Sequence, residues 1–260
     1  MSKTILKNSP ISYVVAQLTF PSMPANPNME NQIVQLHERI RKEGFPNRVD
    51  KKGKQVRLTD SGVEFSDVHA YSFLSLDKTT SVHLSSDTFV LETSKYDGYD
   101  KFISTFNKSL NLVNEIFSIV GMDRVGIRFI NLIDPSADAL SDLIKPDLIA
   151  LEEVGDAESI KINYMESRRS TGEGQELIIK VTKSKGGAAL PDEFANPHIK
   201  MTKTRTAEYV TALLDFDHIK IYDGAELDTS RLLSDMDMLH KKIYEAFYRS
   251  VTNKAIKDWS

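Results

Sequence analysis

Two long stretches of this chain repeat an apolar side chain every third or fourth residue, and each closes a run of strand-like segments. In the first, Phe102, Phe106, Leu110, Val113, Phe117 and Val120 form one stripe and Gly121 follows. In the second, Leu232, Met236, Leu239, Ile243, Phe247 and Val251 form another, with Asp228 or Thr229 placed to cap its start. The period of an α-helix puts such positions on a single face. Glycine suits the residue past a helix end, and Asp or Thr suits the start. A helix striped in this way must bury its apolar face against another layer.

The segments before each helix supply that layer. Residues 11–20, ISYVVAQLTF, are β-branched and aromatic and stop at the proline-rich PSMPANP, which reads as a strand. A helix is expected over 29–43, with Ile33, Leu36, His37 and Ile40 on one stripe and Gly44 behind it. Strands are expected at 55–65, 69–76, 80–85 and 88–94, with turn residues between them. After Gly121 the order restarts: a strand at 124–133, a short helical stretch at 136–146, strands at 158–167, 174–183 and 206–219, then the second long helix.

This order predicts an α+β fold: a largely antiparallel, curved sheet with two long helices on one face. The other face is left as a binding surface. We read the halves, 1–121 and 122–260, as a duplicated β-α-β(3)-α unit packed as one compact domain. Any α+β chain with this many strands admits the same parsing, and residue-level similarity between the halves is weak.

Within this frame, residues 124–133, RVGIRFINLI, pose a question. Alternation puts Val125, Ile127, Phe129, Asn131 and Ile133 on one face and Arg124, Gly126, Arg128, Ile130 and Leu132 on the other. The first set is the better core face, so Arg128 points away from the helices. A buried guanidinium needs a carboxylate, and the strand ALLDFDHIK offers Asp215 and Asp217 on one face, opposite Leu214, Phe216 and His218. An Arg128 contact with either aspartate would fix strand register. The functional alternative is an anionic-ligand site, or a metal held by the two aspartates. Asn131 completes this candidate group, either binding a ligand or tying down the strand end near Asp134-Pro135.

Two basic segments stand out. One holds Arg48, Lys51, Lys52, Lys54 and Arg57; the other holds Lys200, Lys203 and Arg205. Both read as charged loops. If they met they could bind phosphates in a salt-dependent way, but neither interleaves the aromatics that single-strand binders stack on. At the C-terminus, Tyr244, Tyr248 and Trp259 can fall outside the core stripe, which makes them interface candidates for a partner protein or a homodimer.

Much other chemistry finds no signature. The 260-residue chain has no cysteine, which excludes disulfides, a thiolate nucleophile and Cys-ligated metal. There is no phosphate-binding or dinucleotide glycine loop; STGEGQE at 170–176 reads as a hairpin turn, and SKGGAAL at 184–190 as a loop running toward Pro197. No nucleophile elbow is present. The histidines, His37, His69, His83, His198, His218 and His240, show no metal-ligand spacing. Neighbouring strand residues face opposite ways, so His218 cannot join both aspartates without a bulge. No cofactor is expected. A net charge of −4 does not suggest a dedicated nucleic-acid binder. The chain has neither a signal peptide nor an apolar run of membrane-spanning length, so a cytoplasmic protein is expected.

Four segments occur in the order found in one family: NSPISYVVAQLTF, RVGIRFINLI, ALLDFDHI and LHKKIYEAFYRSVTNKAIKDW. Over nearly its whole length the chain resembles a sporadically distributed family of uncharacterised prokaryotic proteins. The matching features are Pro10-Ile11, the block from Gly126 to Asn131, and the aromatic-to-threonine run from Phe247 to Thr252. The resemblance implies no established activity. The family's patchy distribution implies mobile-element or phage-defence settings, an association rather than a mechanism. The expected function is a non-enzymatic interaction module, an accessory or sensor component of such a system. The alternatives are a metal-dependent enzyme acting on phosphate esters through Asp215, Asp217 and Arg128, and a nucleic-acid binder using the basic segments.

Overall fold

A computed structural model of the chain describes residues 6–24, 28–59, 62–134, 139–148, 161–186, 190–194, 197–203 and 210–260, with backbone alone at 52, 54–59, 62–68 and 192. In chain order the elements are β1 (Ile11–Thr19), α1 (Met29–Ile40), β2 (Asn47–Thr59), β3 (Gly62–Leu74), β4 (Thr80–Leu84), β5 (Thr88–Thr93) and α2 (Tyr99–Phe117). The second half holds β6 (Gly121–Ile133), α3 (Leu140–Leu143), β7 (Ile162–Gly172), β8 (Gln175–Lys185), β9 (Val210–Glu226), α4 (Thr229–Ser250) and α5 (Asn253–Trp259).

Among the described residues nine strands form one open antiparallel sheet, in the order β2-β3-β4-β5-β1-β6-β9-β8-β7. The opening strands of the two halves, β1 and β6, lie side by side at its centre, with Val15 opposite Arg128 and Ala16 opposite Ile127. The β9 strand flanks β6 on its other side, with Arg128 opposite Asp217 and Ile130 opposite Asp215.

The main core lies on one side of this sheet. Val14, Ala16 and Leu18 of β1, Val125, Ile127 and Phe129 of β6, and Leu214 and Phe216 of β9 are buried there. Ile33 and Leu36 of α1, Phe106 and Leu110 of α2, and Leu239 and Ile243 of α4 pack on them. The alternation expected for residues 124–133 is the one observed. A smaller apolar cluster occupies the other face, where Tyr13, Ile130, Leu132 and Leu213 meet Leu190 and Ile199.

Several boundaries differ from expectation, each for a local reason. The basic run from residue 47 is not a loop but the edge strand β2, paired with β3 from Asn47–Leu74 to Thr59–Gly62. Charged side chains suit an edge because they deter pairing with another sheet. The strand expected at 55–65 is instead shared between the end of β2 and the start of β3. Helix α2 stops at Phe117, not at Gly121. Ser118 takes a left-handed conformation, φ 53°, and the Asn114 side chain accepts from the Ile119 N–H at 2.9 Å. Val120 is consequently exposed and Gly121 opens β6. Of the short helix expected at 136–146, the described part is Leu140–Leu143, and 136–138 lie outside the described residues. The turn of the β7–β8 hairpin does fall in STGEGQE. Gly174 has φ +65° there, and a Cβ would sit 2.8 Å from the Ile221 carbonyl oxygen, so both backbone shape and close approach require glycine.

Candidate functional site on the open face of the sheet

Arg128 leaves the centre of β6 on the face opposite the helices. Its Nε donates to Asp215 Oδ1 at 2.7 Å and its Nη2 to Asp215 Oδ2 at 2.5 Å. The aspartate directly across the ladder is Asp217, yet the bidentate partner is the diagonal one. Nη2 also donates to Glu193 Oε1 at 2.7 Å, and the guanidinium lies 4.8 Å from the Phe194 ring centroid. The arginine side chain is 11% exposed and that of Asp215 only 4%. Burial opposes the guanidinium charge, but the hydrogen bonds to Asp215 and Glu193 outweigh it and raise its pKa.

Asp217 is in a different state. It is half-buried, and among the described residues no hydrogen bond or ion pair reaches it. Burial pushes its carboxyl pKa up, against the opposing pull of Arg128 and Arg124. The side chain of Arg124, four residues earlier on β6, makes one hydrogen bond among the described residues, from Nη1 to Gln17 Oε1 at 3.1 Å, and no ion pair.

A polar relay crosses the first half of the same face. Ser72 on β3 and His83 on β4 are register partners, joined from Oγ to Nδ1 at 2.7 Å. His83 Nε2 meets Glu92 Oε1 on β5 at 2.6 Å, and the Tyr13 hydroxyl on β1 donates to the other carboxylate oxygen. Burial alone would raise the Glu92 pKa, yet the hydrogen bonds from His83 and Tyr13 hold it below the usual carboxylate value. His198 lies beside His83, ring centroids 5.1 Å apart, and its Nε2 is 2.9 Å from Lys51 Nζ. Burial, and then the His83 and Lys51 charges, lower the His198 pKa.

Residues 190–194 and 197–203 form a strap over this face. A 3-10 turn at Asp192–Phe194 delivers Glu193 and Phe194, and the Phe194 ring packs 5.1 Å from that of Tyr13. Farther along, Lys200 N donates to Lys78 O at 2.7 Å, Thr202 Oγ1 donates to Ser94 O at 2.6 Å, and Lys203 Nζ donates to Ser9 O. Between strap and sheet lies a cavity of about 450 Å³, lined by Tyr13, Arg124, Arg128, Glu92, His198 and Asp217 among others. That volume is within the usual range for small-molecule sites.

The structure thus unites part of the expected group and separates the rest. Arg128, Asp215 and Asp217 converge, whereas Asn131 points to the helix side, where its Nδ2 donates to Leu214 O at 3.1 Å. His218 is also on the helix side. Its Nδ1 donates to Leu239 O at 3.0 Å and its Nε2 accepts from Thr171 Oγ1 at 2.7 Å, so it takes no part with the aspartates. Both oxygens of Asp215 face Arg128, and among the described residues no three His, Asp or Glu side chains are placed to hold a metal ion.

The two basic segments do meet, through Lys51 and His198, but much of their charge is engaged. Arg48 pairs with Glu30 at 2.7 Å and Asp50 at 2.6 Å, and Lys203 is half-buried on Ser9. Lys200 is exposed. The side chains of Lys52, Lys54 and Arg57, and the whole of Arg205, lie outside the described residues. Tyr244, Tyr248 and Trp259 are half-buried rather than exposed. Tyr244 and Tyr248 pack together, ring centroids 4.5 Å apart, and Trp259 lies 6.1 Å from Phe247. No helix among the described residues is long and apolar enough to cross a membrane.

The Ser72–His83–Glu92–Tyr13 relay and Arg124 were not singled out from the sequence. Their only signal is a polar residue at the open-face position of a strand, as in AYSFL, SVHL and VLET.

No protein-family model matches the chain, and no curated protein matches it at a significant level.

Proposed function

We propose that the protein is a binding module that takes a small polar ligand between the open face of its sheet and the strap of residues 190–194 and 197–203. The observation that carries this reading is Asp217, an acid kept half-buried in the cavity without a hydrogen-bond partner among the described residues. Such a group destabilises the fold unless something else uses it. Arg124 lines the same cavity with only one side-chain hydrogen bond among the described residues. A ligand bearing an anionic group for Arg124 and a hydrogen-bond donor for Asp217 would satisfy both.

Binding fits the geometry better than catalysis. Ser72, His83 and Glu92 resemble a nucleophile relay, but Ser72 sits in mid-strand between β2 and β4. Neighbouring ladders engage its backbone, so no backbone N–H pair is free beside it to stabilise an oxyanion. The metal-dependent reading is weakened because Asp215 is committed to Arg128. The ion pairs of Arg48 weigh against a nucleic-acid surface. A ligand-sensing module agrees with the accessory or sensor role expected from the sequence, and with a cytoplasmic setting.

The test is native mass spectrometry of wild type, Arg124→Ala and Asp217→Asn purified from the native host, each first checked by thermal melting. A small molecule held by wild type and reduced at least tenfold in both folded variants supports the proposal. It is overturned if no mass is bound and amino acids, nucleotides and sugar phosphates leave the wild-type melting temperature unchanged.

A further inference from the structure

Arg124 and Asp217 stand on neighbouring strands of the open face with a gap between them. In the β6–β9 ladder Arg124 is opposite Ile221, Gly126 opposite Ile219 and Arg128 opposite Asp217. Gly126 therefore holds the open-face position between Arg124 and the Arg128–Asp217 pair, and it has no side chain to fill it. Arg124 uses that space. Its Nη2 lies 3.6 Å from where a Cβ on Gly126 would sit, so the guanidinium folds back over this residue, while Nη1 is held by Gln17. Among the described residues no ion pair joins Arg124 to Asp217. Arg128, directly across from the aspartate, turns to Asp215 and Glu193 instead. Both Arg124 and Asp217 line the cavity, and neither is sealed, since each is half-buried with surface left to a ligand.

Two fixed charges of opposite sign select a ligand by charge. A simple anion would suit Arg124 and be repelled by Asp217, and a simple cation the reverse. An unmatched charge is costly in a half-buried site. A zwitterion meets both groups and brings no net charge. The spacing limits its size. Diagonal neighbours in an antiparallel pair, as Gly126 and Asp217 are, lie about 7–8 Å apart, and the Arg124 guanidinium reaches over Gly126 into that gap. Such a gap suits an ammonium and a carboxylate carried on one carbon rather than at the two ends of a chain. Beyond it the lining offers Val15 of β1, Val90 of β5 and Phe194 of the strap to an apolar substituent. The polar groups of that region, Ser72, His83, Glu92 and Tyr13, are bonded to one another.

We propose that the ligand of the open-face cavity is a free α-amino acid with an apolar side chain, its carboxylate on Arg124, its ammonium on Asp217 and its side chain over Val15 and Val90. This rests on the binding function proposed above and names the class of ligand.

The experiment is isothermal titration calorimetry of the full chain with L-leucine, L-valine and L-phenylalanine. Each is run beside the analogue lacking its amine and the analogue lacking its carboxylate (4-methylpentanoate and 3-methylbutylamine for leucine). At least one amino acid is expected to bind with a sub-millimolar Kd, and both of its analogues at least about tenfold more weakly, the loss that one charged hydrogen bond brings. Asp217→Asn should erase the preference over the deaminated analogue, and Arg124→Gln the preference over the amine. Gly126→Leu, which fills the gap and leaves both charges in place, should weaken binding at least tenfold. The proposal is overturned if none of the three amino acids binds wild type, if either analogue binds as tightly as its parent, or if a folded Gly126→Leu variant binds at full affinity. The wild-type comparisons decide even where a variant does not fold. If no amino acid binds while wild type from the native host holds another small molecule that Arg124→Ala and Asp217→Asn lose, the cavity remains a binding site and the amino-acid assignment alone falls.

Discussion

Arg128 and Asp217 face the same cavity but stand in opposite energetic positions. Arg128 is held by two carboxylates, and one of them, Asp215, has almost no contact with solvent. Removing the guanidinium alone would strand that charge. Arg128→Ala is therefore expected to cost about 3–5 kcal/mol, the usual penalty for breaking a buried pair. Arg128→Met combined with Asp215→Leu should recover most of the loss. Urea titration of the three variants checks this, and a double variant no more stable than Arg128→Ala would show that the pair acts otherwise. Asp217 works in the other direction. Its raised folded-state pKa means that folding favours the protonated form, so ionisation costs stability as pH climbs from the unfolded value, about 3.9, through the folded one. Asp217→Asn should raise the melting temperature at pH 7.5, and the gain should fall away as the pH drops below the unfolded value, where the carboxyl is protonated in both states. A loss of stability at pH 7.5 would mean that the charge has a structural partner. That Arg128 meets Asp215 or Asp217 was legible in the sequence, because strand alternation and the cost of a bare buried charge both point to the pair, but which aspartate it takes was not. The Glu92 relay was not, since residues 13, 72, 83 and 92 meet only through the register of four strands, and register is set by the assembled sheet.

Elements were legible where one period ran uninterrupted. The stripes of α2 and α4, the strand β1 and the faces of β6 follow directly from apolar spacing. Boundaries failed where a polar side chain decided the outcome. Asn114 ends α2 ahead of the glycine that marks a C-terminus in sequence. The lysine-rich β2 looked like a loop because an edge strand has little apolar content to show. One capping expectation is explicit in the structure. The Asp228 side chain accepts from Ser230 N at 2.9 Å and Arg231 N at 3.0 Å, satisfying two orphan donors at the start of α4. Asp228→Ala should cost about 1 kcal/mol, as is usual for such caps. Thr229→Ala, one residue into the helix, should cost much less if Asp228 alone is the cap. Chemical denaturation distinguishes the two, and equal losses would sink the assignment.

On the scale of the whole molecule, the halves share more than a boundary. The β1–β6 ladder joins them at the centre of the sheet. The helix-side core mixes residues from both, with Phe106 and Leu110 in the same cluster as Leu239 and Ile243. The open face is tied as well, because the strap from the second half bonds to Lys78, Ser94 and Ser9 of the first. The C-terminal helix returns to the beginning of the chain, where Asn8 N donates to Trp259 O at 2.9 Å. Cutting after residue 121 would expose one long edge of β1 and the apolar underside of the central strands at once, leaving neither half a closed core. The intact chain is therefore expected to unfold in one transition despite its length, with calorimetric and van't Hoff enthalpies equal. Residues 1–121 expressed alone should lack a cooperative melt. Two resolved transitions in the full chain, or a cooperatively melting 1–121 fragment, would instead make the halves separate domains, and the open-face cavity, lined from both, would then depend on how they dock.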